Sequence, residues 1–329
     1  MRRRDFMLAL GGAAVTWPLA AHGQQDGRVR RVGVLIPFME SESEWTPLLA
    51  AFKKRLNELG WTEGRNIRFE QRFSGGNPER IRAAAVELVA TAPDVLYVVS
   101  NASLPAVKQA TQKIPTVFTQ VADPVGGGFV ASLAHPGGNI TGFQSFDPAI
   151  GGKWLGVLKE IKPDLRRAGY LLNPDIAANV AYFKAAEVVS GSLGMTAEST
   201  AVRRVDEIGP AIEAFARAPN GGLVVTPNPI LIANRDVIIA AAARLRLPAI
   251  YPYAYFAKSG GLMSYGYDPM EQWLGASSYV DRILRGAKAG ELPVQLATKY
   301  QMVINLKAAN ALGLKMPDKF LITADEVIE

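Results

Sequence analysis

The chain has 329 residues, 49% of them apolar and 20% charged, with a formal charge of +6. That length allows two domains, each with its own core, and the composition excludes a disordered or fibrous chain. With no cysteine and only two histidines, it also excludes a cysteine nucleophile, a Cys/His zinc site and any disulfide.

The segment Arg3-Arg4-Asp5-Phe6-Met7, followed by the apolar run LALGGAAVTWPLAA, reads as a twin-arginine export signal spanning residues 1–23. Cleavage is expected after Ala21-His22-Gly23, leaving a periplasmic protein that starts near Gln24. A spanning helix needs roughly 20 apolar residues, and Gly11, Gly12 and Pro18 interrupt this run, so a permanent anchor is disfavoured. The signal holds three arginines against one aspartate, which leaves +4 on the mature chain. No long basic stripe with interleaved aromatics accompanies that charge, so nucleic acid is not an expected partner.

Beyond the signal, apolar β runs alternate with amphipathic helices. Residues 31–37 read as a buried strand ended by Pro37. Trp45, Leu48, Leu49, Phe52, Leu56 and Leu59 form one helical stripe. Residues 66–73 are a second strand. Asn77 caps a helix with Pro78 at its first position, 94–100 is a third strand, 103–112 a helix and 115–119 a fourth strand. A glycine-rich stretch from Asp123 to Pro148 contains the strand-like segment 139–143.

The alternation then restarts with a helix carrying Trp154, Leu158 and Ile161. Strands follow at 167–172, 196–202, 222–226 and 248–251, with helices at 177–193, 205–217 and 231–245 between them. After these come a strand at 261–266, a helix at 270–285, an extended segment at 292–305 and a last helix at 306–312. The grammar is α/β: two doubly wound parallel-sheet lobes around a cleft, joined by a multi-crossing hinge. A lone strand and helix cannot bury a core, so 260–288 is expected to return to the first lobe. Lobe 1 is thus 30–147 plus 260–288 and lobe 2 is 148–259 plus 289–329. Crossings are expected near 145–149, 257–260 and 288–295.

In open parallel sheets, ligands collect beyond the carboxyl ends of the strands. That rule selects Phe38, Ser100, Asn101, Ala102, Ser103, Gln120 and Asp123 from the first lobe, and Asn173, Thr226, Asn228 and Tyr253 from the second. Ser100 to Ser103 ends a strand and opens a helix; it either caps that helix or caps it while its hydroxyl and N–H groups hold a carboxylate. Asp123 either pairs with an ammonium group or serves a turn before Pro124. Phe38, Tyr251, Tyr253 and Tyr265 are either aromatic walls or core packing. His135 lies in a Pro/Gly turn, a surface position.

The glycine loops at 125–129 and 135–139 match neither G-x-G-x-x-G after the first strand nor the P-loop, so no nucleotide cofactor is expected. Glu40, Asp123, Asp147 and Asp268 are the available acids, and nothing in their spacing pairs any two.

Five segments in order carry a resemblance: V-A-D-P-V (121–125), S-L-A-H-P-G-G-N-I-T-G-F (132–143), G-G-L-M-S-Y-G (260–266), R-I-L-R-G-A-K-A-G-E-L-P-V (282–294) and T-K-Y-Q-M-V-I-N-L-K-A-A-N-A-L-G-L (298–314). They resemble the ATP-binding-cassette transporter substrate-binding proteins related to tryptophan-binding members, over essentially all of the mature chain. The resemblance implies a type I periplasmic binding fold and delivery of a small solute to an inner-membrane ABC permease. No cofactor and no metal are expected, and a monomer is expected. Some such relatives bind aromatic or branched amino acids. Ser100-Asn101-Ala102-Ser103 departs from the Gly-Thr-containing loop of many relatives, which puts the ligand preference in doubt. The competing readings are an exported sensor serving a membrane receptor, and an exported two-lobed α/β enzyme using the same cleft.

Overall fold

A computed structural model describes residues 28–41 and 45–329. The export segment therefore lies outside the described residues. Among the described residues, no helix is long and apolar enough to cross a membrane.

The first half of the chain forms β1 (Arg30–Ile36), α1 (Trp45–Glu58), β2 (Ile67–Phe73), α2 (Pro78–Ala90), β3 (Val95–Val99), α3 (Leu104–Ala110), β4 (Thr116–Val121) and β5 (Ile140–Gln144). The second forms α4 (Ile150–Ile161), β6 (Arg167–Leu172), α5 (Ala177–Ser190), β7 (Thr196–Ala201), α6 (Ile208–Ala216), β8 (Gly221–Val225), α7 (Pro229–Ala233), α8 (Arg235–Arg244), β9 (Ala249–Tyr251), α9 (Ala254–Lys258) and β10 (Met263–Tyr267). The chain closes with α10 (Pro269–Leu284), β11 (Gln295–Leu296), β12 (Tyr300–Asn305), α11 (Leu306–Ala311), α12 (Asp318–Thr323) and β13 (Glu326–Ile328).

Two sheets result, ordered β11-β5-β4-β3-β1-β2 and β13-β12-β10-β9-β8-β6-β7. All pairings are parallel except β10 with β12. Strand alternation covers both faces of each sheet. In β3, Tyr97 stacks on Phe52 of α1 and meets Trp273 of α10 edge-on, while Leu96 and Val98 join Ile81 and Leu88 of α2 on the opposite side. In β6, the Tyr170 hydroxyl donates to the Gly151 carbonyl of α4, and the neighbouring Gly169 lies against Phe215 of α6. The sequence-predicted α/β architecture of two parallel-sheet lobes is therefore the observed one.

The last quarter of the chain departs from expectation. The strand placed in lobe 1 is β10, which pairs with β9 and β12 in the second sheet, whereas α10 packs on α1, β3, β4 and β5 of the first. No crossing occurs at 257–260: that stretch holds the end of α9 and continues into β10. The physical reason is edge pairing, because β9 leaves an open flank that the short α9 turn allows β10 to fill in parallel. The extended segment 292–305 serves both sheets, β11 extending the first beside β5 and β12 the second beside β10. The chain thus passes between lobes at 145–149, 268 and 297–299.

The three passages converge on one ring. Phe146 lies 4.8 Å from Tyr267, 5.4 Å from Trp154, 5.8 Å from Tyr253 and 6.2 Å from both Tyr182 and Tyr300, measured between ring centroids. Phe146 sits in the first passage, Tyr267 borders the second and Tyr300 the third, so this aromatic cluster packs the hinge.

Candidate functional site

Strand order reverses between β1 and β3 in the first sheet and between β6 and β8 in the second. At such a switch point the loops leave in opposite directions and open a crevice at the carboxyl ends of the strands. The two crevices face each other across the cleft. Phe38 and Ser100 come from the first, Ile176, Pro227 and Asn228 from the second; with Asn101, Gln120, Ser145, Tyr182, Pro229, Ile232 and Tyr253 they enclose one inner gap. Its free volume is about 20 Å³. That is room for about one water molecule, so the side chains from the two lobes nearly touch.

A wider outer cleft continues from it, sharing Asn101, Ile176, Asn228 and Pro229. Its walls carry Gly75, Gly76, Arg80, Lys108, Asp123 and Phe129 on the first lobe, and Asn173, Asp175, Arg203 and Arg204 on the second. Charge is therefore confined to the mouth, while the inner gap is lined by aromatic, apolar and neutral polar groups.

Local bonding explains why these residues sit where they do. Phe38 stacks on Trp45 at 3.7 Å with an interplanar angle of 7°, and its carbonyl accepts the Gly75 N–H. Ser100 has φ +79°; its carbonyl accepts the Ser103 and Leu104 N–H groups, and its Oγ accepts that of Ala102 at 3.3 Å. Asn101 bridges to Ala122 through both amide atoms. Ser100 thus folds the loop into α3 through its carbonyl and Oγ, but no side chain caps that helix: Ser103 at its N-cap makes no capping bond and its buried Oγ has no partner.

Gln120 and Asp123 also have positive φ, +56° and +44°. Non-glycine residues in that region cost roughly 1–2 kcal/mol and cluster where a fold constrains a functional loop. Asp123 Oδ1 accepts the Gly126 N–H at 2.8 Å, a turn bond, and the residue lines the outer cleft.

On the second lobe, Asn228 caps α7 through the Leu231 N–H and donates to Asn179 Oδ1. Asn179 in turn accepts the Asn173 N–H and donates to the Pro227 carbonyl, which ties the ends of β6 and β8 together. Tyr253 shares a 3.4 Å hydroxyl contact with Tyr267. Burial pushes the hydroxyls of Tyr182, Tyr253 and Tyr267 above the usual tyrosine range, so they stay neutral.

Of the sequence-predicted residues, Phe38, Ser100, Asn101, Gln120, Asn228 and Tyr253 meet at the inner gap, and Ala102, Asp123 and Asn173 at the outer cleft. Three belong to neither lining. Ser103 is fully buried behind its loop, Thr226 donates its hydroxyl to the Leu171 carbonyl inside the sheet, and Tyr265 stacks on Tyr300. His135 is exposed, Asp147 accepts the Ala149 N–H and Asp268 caps α10. Sequence reasoning missed Ser145, Ile176, Tyr182 and Ile232. Extending the strand-end rule to β5 finds Ser145; Tyr182 projects from the side of a helix, where the rule says nothing.

Comparison with known proteins agrees with this geometry. The model of the family described as ABC transporter substrate binding protein matches residues 35–328. A tyrosine-binding protein of Clostridioides difficile (strain R20291) is 24% identical over 267 residues, covering 80% of this chain and 76% of that protein. A conserved domain protein from Vibrio cholerae superposes with a TM-score of 0.83 at 27% identity, covering 91% of this chain and 100% of the other. An ABC domain in complex with L-Trp from Streptococcus pneumonia gives 0.84 at 22% identity over the same shares. A ligand-free, open substrate-binding protein with adhesive properties from Clostridium difficile gives 0.65 at 20% identity, covering 91% of this chain and 99% of that one. The chain belongs to the ABC transporter substrate-binding protein family.

Proposed function

We propose that this protein is the periplasmic solute receptor of an ABC importer and that its cargo is an amino acid with an aromatic or bulky apolar side chain. The observation that carries the reading is the inner gap: Phe38 from one lobe faces Tyr182 and Tyr253 from the other, with neutral polar groups between them and charge only at the mouth. The gap as it stands has room for only about one water, so an apolar side chain packs among its rings once the lobes part to admit it, while Asp123 at the mouth suits an ammonium group and Arg80 and Lys108 suit a carboxylate. The tyrosine-binding and L-Trp-bound relatives support the same class of cargo.

Closure follows from contacts divided between lobes. A solute touching both lobes gains interactions only in the closed form, so it shifts the open and closed populations by its differential affinity. The narrow inner gap, and a closer superposition on the L-Trp complex than on the open relative, support assigning the present arrangement to the closed side. Closed lobes present a new outer surface to an inner-membrane permease. Residues 1–23 supply the export signal, by the twin-arginine route; the mature protein acts as a monomer and binds its cargo without chemistry.

The test is a thermal-shift screen of the purified protein against amino acids, aromatic acids, nucleosides and small sugars. A bound solute at about 100 times its Kd stabilises by about 2.7 kcal/mol, a shift of several degrees. A rise confined to L-tyrosine, L-tryptophan or L-phenylalanine, with the compound recovered unchanged, supports the reading. A rise with sugars alone, or consumption of the compound, overturns it.

A further inference from the structure

One residue of the cleft is held by a side chain far away in sequence. Gln120 interrupts the end of β4: its left-handed φ of +56° shifts the β4–β5 register between Phe118 and Val121, and its N–H leaves the ladder. That N–H donates instead to Gln272 Oε1 at 2.9 Å. The Gln120 side chain is 7% exposed, lines the inner gap, and its Nε2 has no hydrogen-bond partner. A buried amide donor without a partner is costly unless something completes it.

Gln272 lies in the first part of α10, is 3% exposed, and donates from Nε2 to the Gln144 carbonyl at 2.8 Å. A backbone N–H only donates and a carbonyl only accepts, so the two bonds together dictate which way the Gln272 amide points. The same Gln144 carbonyl accepts the Ala297 N–H at 3.2 Å. Gln272 thus sits where α10 leaves the second passage, bonded to the residue that opens the first and sharing its acceptor with the third.

We infer that Gln272 is a positioning residue: it holds the Gln120 backbone in the left-handed conformation that keeps the Gln120 amide in the cleft, where Nε2 donates to an acceptor oxygen on the part of the solute that enters the inner gap, such as the phenol oxygen of L-tyrosine. The solute half of this inference rests on the reading given under Proposed function.

Two arms test it on the whole protein. The first needs no ligand. In Gln272→Met, which keeps volume and loses both bonds, amide hydrogen exchange at Gln120 should accelerate by about tenfold or more while the thermal midpoint falls by only a few degrees. Gln272→Glu, whose carboxyl keeps an acceptor for the Gln120 N–H, should retain most of the protection. Unchanged exchange at Gln120 in Gln272→Met overturns the assignment.

The second arm measures L-tyrosine affinity by calorimetry. Gln120→Ala and Gln272→Met should each weaken it by about tenfold, and the double variant should be little worse than Gln120→Ala alone, since one acts through the other. Additive losses would mean that Gln272 acts elsewhere and would overturn the proposal. A wild-type protein that does not bind L-tyrosine counts against that cargo, and the exchange arm then decides Gln272 by itself.

Discussion

Asn101 and Ala122 are bonded in both directions: Asn101 Oδ1 accepts the Ala122 N–H at 2.7 Å, and Asn101 Nδ2 donates to the Ala122 carbonyl at 3.0 Å. One side-chain amide therefore does for the ends of β3 and β4 what a ladder pair does inside the sheet. It holds the Ser100 loop against the loop that carries Asp123, and both line the cleft.

Replacing that amide separates loop scaffolding from solute contact. Asn101→Ala leaves the Ala122 N–H and C=O without their partner, and a loss of about 1–3 kcal/mol is expected. Urea denaturation of the solute-free protein measures it. A variant as stable as the wild type would mean that water replaces both bonds at no cost.

Phe146 should be the most sensitive position of the hinge. From the first passage it contacts five rings of the second lobe, of which Tyr267 and Tyr300 border the other two passages, so Phe146→Ala opens a cavity where the lobes are tied together. Buried phenylalanine truncations cost about 3–5 kcal/mol. Thermal unfolding should show that loss; calorimetry that resolves two transitions in the variant and one in the wild type would locate it in the coupling between lobes. A cost below about 1 kcal/mol would show that the cluster repacks.

The position of Tyr182 depends on a glycine in the adjacent helix. A Cβ at Gly151 of α4 would lie 2.0 Å from the Tyr182 carbonyl of α5, a backbone atom that cannot rotate away. Gly151→Ala must push the helices apart and should destabilise by about 1–3 kcal/mol, as overpacked cores do. Because Tyr182 lines the inner gap, solute affinity should fall with it. The control is Gly156→Ala in the same helix, where a Cβ meets nothing within 4 Å; equal effects from both would rule out the helix contact as the cause.

The buried tyrosines set an alkaline limit. Burial raises the hydroxyls of Tyr97, Tyr182, Tyr253 and Tyr267 above the ordinary value of 10.0. A folded-state pKa above the unfolded one favours the protonated, folded form, so this contribution is complete below pH 10 and is lost as pH rises above it. Absorbance at 295 nm and far-ultraviolet circular dichroism, followed together from pH 9 to 13, should show these tyrosines ionising only as structure is lost. Full ionisation with the circular dichroism intact would refute their burial.

Much of the fold was legible because local rules and tertiary packing agree. Asn77 and Pro78 start α2 as their capping chemistry requires. The stripe Trp45, Leu48, Phe52, Leu56 is the buried face of α1. The strand-end rule placed Phe38, Ser100, Gln120, Asn228 and Tyr253 together, because strand direction and the position of the switch points follow from the βαβ order. The rule failed at Thr226 and Ser103, where the side chain turns into the sheet or behind the loop, since it knows where a strand ends and not which way a side chain points.

The linear order of elements, the wound lobes, the family and the general place of the cleft were thus determined by sequence, through periodicity and capping that act over a few residues. Tertiary structure alone decided the rest: that β10 completes the second sheet while α10 crosses to the first, that Phe146 gathers the three passages, that Tyr182 reaches the cleft from a helix flank, and that Gln272 takes the N–H of Gln120 across 152 residues of chain. Such choices depend on which open sheet edge or unpaired donor is nearest in space, and no local pattern encodes that distance.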